Sequence, residues 1–85
     1  MYFVYFLYSQ KTENVYVGCT NNLDRRPKQH QKGLVKSTKT RRPLFLIQKE
    51  VYSSLYLARK REDYLKSLYG YRERQKILRN YLKDE

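Results

Sequence analysis

An α+β fold of the α/β type, a small three-stranded antiparallel sheet flanked by helices, is predicted for this chain by three observations. Two aromatic and β-branched runs, Tyr2–Tyr8 and Val15–Cys19, are separated by the polar segment Ser9–Asn14, as in a hairpin. A third such run opens at Leu44. After Ser54 the apolar residues adopt helical spacing. With 85 residues the chain is expected to form one domain, residues 1–85, burying only about 60% of its unfolded surface.

The elements follow in order. Asn22 is a suitable N-cap for a helix running to His30, and Gly33 stops it. Within that helix Pro27 restricts Arg26 and removes one N–H, which predicts a kink or a late helix start at Arg26. Lys36–Pro43 reads as a basic loop, and Leu44-Phe45-Leu46-Ile47 begins a third strand that continues to Val51-Tyr52. Ser53-Ser54 offers an N-cap for a long helix, which Gly70 is expected to break. A final amphipathic helix turns Ile77, Leu78, Tyr81 and Leu82 inward and leaves Arg72, Lys76, Arg79 and Lys83 outside.

Charge narrows the function. Nineteen Lys and Arg face eight Asp and Glu, a net charge of +11, which favours a polyanionic partner through counterion release. The excess is concentrated: Arg25, Arg26, Lys28, Lys32, Lys36, Lys39, Arg41, Arg42 and Lys49 form a belt without an acidic residue. Gly33 and Ser37-Thr38 interrupt it with backbone and hydroxyl donors suited to phosphate oxygens. The one cysteine, Cys19, has no internal partner for a disulfide, and the short run Tyr2–Tyr8 lacks a basic leader and the length of a membrane span. The expectation is an intracellular, cytoplasmic protein with no membrane association.

One helical face carries the sharpest chemical clue. Leu55, Ala58, Glu62 and Leu65 fall on a single stripe of the helix after Ser54. A carboxylate on an apolar stripe needs a partner, because an unpaired buried charge costs several kcal/mol; an arginine and a metal are the two candidates. Asp63, one residue round, lies beside Arg59 and Lys66 and reads as a surface ion pair.

The order of these residues resembles the GIY-YIG nuclease superfamily, in particular its small single-domain bacterial members, over nearly the whole chain. Phe3-Val4-Tyr5 stands at the first motif, with Gly-Ile replaced by Phe-Val, and Tyr16-Val17-Gly18 at the second. Leu23-Asp24-Arg25-Arg26 with His30 matches the arginine-bearing helix, Ser37–Leu44 the loop into the third strand, and Ala58-Arg59-Lys60-Arg61-Glu62 the segment with the metal-binding glutamate.

The resemblance implies an endonuclease that hydrolyses DNA phosphodiester bonds with a single divalent metal, Mg²⁺ or Mn²⁺, held by Glu62 as its only protein carboxylate. Such a metal would polarise the scissile phosphate and stabilise the leaving 3′ oxygen. The resemblance also assigns water activation to one tyrosine of the Tyr5/Tyr16 pair. We take Tyr5 as the base and Tyr16 as the positioner, with nearby cations favouring phenolate. Arg26 would grip the phosphate bidentately, and His30, four residues on, would hydrogen-bond a phosphate or relay the tyrosine proton. Arg25, Lys28, Lys36, Lys39, Arg41 and Arg42 are the expected nucleic-acid contacts, with DNA the first partner, RNA the second, and repair or recombination the suggested setting. Specificity is expected to come from DNA structure or from a protein partner. Two other classes compete: a binding module of the same fold without chemistry, and an RNA-associated basic protein that stacks Tyr and Arg on bases.

Overall fold

Three strands and three α-helices account for most of residues 1–83, which the computed structural model describes: β1 (Tyr2–Ser9), β2 (Asn14–Thr20), α1 (Arg26–Gln31), β3 (Leu44–Tyr52), α2 (Leu55–Lys66) and α3 (Tyr71–Lys83). Single 3-10 turns occur at Lys39–Arg41 and Leu68–Gly70. The sheet is antiparallel throughout, in the order β2-β1-β3. Central β1 is covered on both faces, so Val4 through Ser9 are all buried. Val4, Phe6 and Tyr8 meet Val15, Val17, Ala58, Leu65 and Leu78 in the main core. Tyr5 and Leu7 face the other way, with Leu44 and the partly buried Tyr16 and Leu23.

That second face positions the site, and α1 lies against it. Asn22 caps the turn that leads into α1: its Oδ1 accepts from the Arg25 N–H at 3.0 Å and its carbonyl from the Arg26 N–H at 3.1 Å. The regular helix starts at Arg26, with Pro27 in the first turn, where a missing N–H costs no intrahelical bond. The proline therefore gives a late start. Gly33 ends the helix at φ 77°. Its N–H bonds to the His30 carbonyl and that of Leu34 to the Gln29 carbonyl, the paired bonds of a Schellman motif.

Ser54 caps α2, its Oγ accepting from the Leu57 N–H at 3.2 Å. The expected break at Gly70 occurs earlier, at Ser67, which is extended and returns its N–H and Oγ to the Tyr64 carbonyl. Gly70 serves close packing instead. A Cβ there would strike the Tyr64 carbonyl and the Leu65 backbone, so its absence lets α3 start against the end of α2. Arg74 then donates to the Leu65 carbonyl at the helix end and to the Ser67 carbonyl, which also accepts from the Gly70 N–H. On α3, Leu78 is buried and Ile77 and Tyr81 pack on the core. Leu82 is 45% exposed, against expectation, because it lies in the last turn, past the end of the core. Arg61 of α2 grips Glu50 of β3 through two bonds, Nε to Oε1 at 2.9 Å and Nη2 to Oε2 at 3.0 Å. No helix among the described residues is long and apolar enough to cross a membrane.

Candidate active site

Tyr5 sits at the middle of β1 and is paired in register with Gly18 on β2 and Lys49 on β3. Register partners project to the same face of a sheet, so a side chain at position 18 would compete with the phenol for space. Gly18 removes that competition: a Cβ there would overlap the Oη, Cζ and Cε2 of Tyr5. The glycine after Tyr16-Val17 thus lets the Tyr5 ring lie over β2, its oxygen aimed at α1.

There the oxygen meets His30. Tyr5 Oη and His30 Nε2 are 2.9 Å apart, and His30 Nδ1 is 2.7 Å from Thr38 Oγ1. All three residues are buried. Burial raises the Tyr5 phenol above its ordinary range, the neighbouring Arg26 guanidinium opposes that rise, and the charges of Glu62 and Cys19 add to it. Burial, aided by the Arg26 charge, lowers the His30 imidazole to about 4, so His30 is neutral at physiological pH. Arg26 itself reaches Gln29 Oε1 at 3.1 Å.

Tyr16 is held differently. Its hydroxyl is 3.2 Å from Thr12 Oγ1, and the Arg41 guanidinium lies 5.3 Å from its ring centroid, in cation–π range. Arg41 also donates through Nε to the Ser37 carbonyl, and Arg42 to the Lys39 carbonyl. The basic loop is tied to the hairpin by Ser9 Oγ on the Arg41 carbonyl at 2.6 Å and by Lys11 on the Thr40 carbonyl at 2.9 Å.

Glu62 is buried on α2, on the same stripe as Ala58 and Leu65. Its partner is neither an arginine nor an arrangement of further ligands: Lys66, one turn on, donates to Oε2 at 2.9 Å. Lys66 therefore pairs with Glu62 and not with Asp63, which corrects the sequence-based assignment; the i, i+4 spacing to Glu62 was the available signal. The described residues contain no cluster of three His, Cys, Asp or Glu. A lone hard carboxylate fits Mg²⁺ or Mn²⁺, which complete their shells with water and phosphate oxygens, and does not fit a closed zinc site.

Tyr5, Tyr16, His30 and Thr38 line a groove of about 430 Å³ together with Lys66, Tyr71 and Arg74. Edge strand β2 contributes Asn14–Val17 to the lining. Glu62 is not among the lining residues; it is connected to the groove through Lys66, which lines it and donates to Glu62 Oε2, and its charge acts on the Tyr5 phenol. Of the basic belt, Arg25, Lys28, Lys36, Lys39 and Arg42 are exposed, and Arg41 is half-buried on Tyr16. Thr38 is only 2% exposed. Its hydroxyl therefore does not face solvent as a phosphate donor, and its bond to His30 was not evident from sequence.

Comparison with known proteins identifies the family. The GIY-YIG catalytic domain family matches residues 1–76. A curated relative, UPF0213 protein CPE1444 of Clostridium perfringens (strain 13 / Type A), is 37% identical over 86 aligned residues, covering 100% of this chain and 91% of its own. No solved structure matches the chain.

Proposed function

The chain belongs to the GIY-YIG nuclease family, and from that premise we propose that it is a metal-dependent endonuclease acting on DNA. The observation that supports this reading is a buried phenol hydrogen-bonded to a neutral imidazole at the groove, with a guanidinium and a carboxylate whose charges act on that phenol. A module kept only for binding has no need to bury Tyr5, His30 and Glu62 together.

In this mechanism the basic belt and Arg41 seat the phosphate backbone along the groove. Arg26 acts twice, opposing the rise of the Tyr5 phenol and offering a fork to the phosphate oxygens. Burial opposes the phenolate expected from the nearby cations, so Tyr5 would act as the base only once bound metal and Arg26 favour its ionised form. It would then take a proton from the attacking water as the water oxygen bonds to phosphorus. Tyr16, held by Thr12 and Arg41, orients that water or a phosphate oxygen. Glu62 would hold the divalent metal after exchanging its Lys66 contact. The metal would act as a Lewis acid for the scissile phosphate and the departing 3′ oxygen.

Supercoiled plasmid incubated with Mg²⁺ or Mn²⁺ tests this reading. Nicking should disappear with EDTA and fall at least about a hundredfold in Glu62→Gln and in Tyr5→Phe, while both variants still bind DNA. Nicking that survives in Glu62→Gln would overturn the metal assignment. Equal, salt-sensitive binding without cutting of plasmid, branched or single-stranded DNA would point to a binding module.

A further inference from the structure

We infer that Thr38 is a positioning residue that fixes His30 in its Nε2–H tautomer, making His30 a hydrogen-bond donor to Tyr5 and not the acceptor of its proton. The tautomer belongs to the resting protein, and its catalytic meaning rests on the proposed function.

Buried donors decide between the two tautomers. A neutral imidazole has one N–H and one bare nitrogen, and which is which follows from its two partners. On the Nδ1 side the partner is Thr38 Oγ1 at 2.7 Å, in a residue only 2% exposed. That hydroxyl has no other hydrogen-bond partner among the described residues. If Nδ1 carried the proton, the Thr38 O–H would be left buried without an acceptor, at a cost of about 1–3 kcal/mol. If Thr38 donates to a bare Nδ1, its one donor is satisfied and only lone pairs remain, a lesser cost. The second arrangement places the ring proton on Nε2, 2.9 Å from Tyr5 Oη.

The consequence concerns the base. A phenolate at Tyr5 would receive a hydrogen bond from His30, and the charge of the neighbouring Arg26 guanidinium would also favour the anion. A phenol must instead turn its own O–H away from His30, since Nε2 has no lone pair to offer. The low proton affinity of the buried imidazole agrees with this division, because His30 remains neutral while Tyr5 changes state.

His30 is the single histidine in the chain, so long-range ¹H–¹⁵N correlation spectra of labelled protein report its tautomer directly. At neutral pH the wild type should show a protonated Nε2 and a bare Nδ1. Thr38→Val removes the donor at nearly constant shape, so the bare Nδ1 should lose its hydrogen bond and its resonance should move to that of an unbonded ring nitrogen, with nicking about tenfold slower or more as the ring loses its anchor. Thr38→Ser should restore both the signature and the rate. An Nδ1–H tautomer in the wild type would overturn the inference, as would an unchanged spectrum in folded Thr38→Val. The wild-type spectrum decides even if the valine variant fails to fold. Absence of cutting by a protein with the expected tautomer would count against the nuclease reading and leave the tautomer assignment standing.

Discussion

The phenol of Tyr5 lies across the backbone of Gly18, its register partner on β2. This contact links the two halves of the family signature physically: the glycine of the second motif makes room for the tyrosine of the first. Gly18→Ala should therefore push the phenol away from His30 Nε2. The expected result is a folded protein, destabilised by about 1–3 kcal/mol in chemical denaturation, whose nicking falls far more than its DNA binding. Unchanged nicking would show that the Tyr5–His30 contact is not needed for cutting.

Legibility from sequence followed the range of the interactions. The hairpin, the Ser54 cap and the apolar stripe bearing Glu62 are local, and their residues announced them. Helix ends were harder: Ser67, not Gly70, stops α2, because a serine returning both donors to Tyr64 ends a helix as well as a glycine does. The least legible features depend on chain segments that meet only in three dimensions. Thr38 reaches His30 because the basic loop folds back over α1, and Arg61 finds Glu50 across two elements. Lys66 was visible as a helical neighbour of both Glu62 and Asp63, and only burial of Glu62 decides between them.

The Lys66–Glu62 pair leads to a prediction about metal. The ammonium occupies one of the two Glu62 oxygens that would hold a divalent ion, and its side chain is 55% exposed, so the pair contributes on the order of 1 kcal/mol or less. Lys66→Met should tighten Mn²⁺ binding by about twofold to fivefold in calorimetry or by electron paramagnetic resonance of free Mn²⁺. Weaker binding would mean that Lys66 supports the metal site.

Acid should weaken the fold through His30. The buried imidazole, lowered to about 4, titrates below the value of about 6.5 expected when unfolded. Between these limits the unfolded chain binds the additional proton, so stability is fully present above about pH 6.5 and is lost as pH falls toward 4. The expected loss between pH 7 and pH 5 is at most about 2 kcal/mol in urea unfolding. Glu50 adds little in this window: burial pushes it up, but Arg61 and Tyr52 more than offset that and hold it below the usual carboxylate range. His30→Gln should flatten the pH dependence, and an equally steep profile in that variant would assign the effect elsewhere.

The basic belt divides into residues that only bind and residues that also shape the site. Lys36 and Lys39 are exposed, so each alanine substitution should lower DNA affinity uniformly across sequences. Each should also reduce the slope of log affinity against log salt by about 0.9 on duplex DNA, with the cutting rate of bound substrate unchanged. Arg41 differs because its guanidinium lies on the Tyr16 ring while its backbone carbonyl accepts from Ser9. Arg41→Ala should lose a comparable salt slope and, in addition, slow cutting at saturating DNA, since Tyr16 loses the cation that covers it. Salt-dependent binding curves combined with single-turnover nicking separate the two effects. An Arg41→Ala protein that differed from Lys39→Ala in neither measurement would reduce Arg41 to one more phosphate contact.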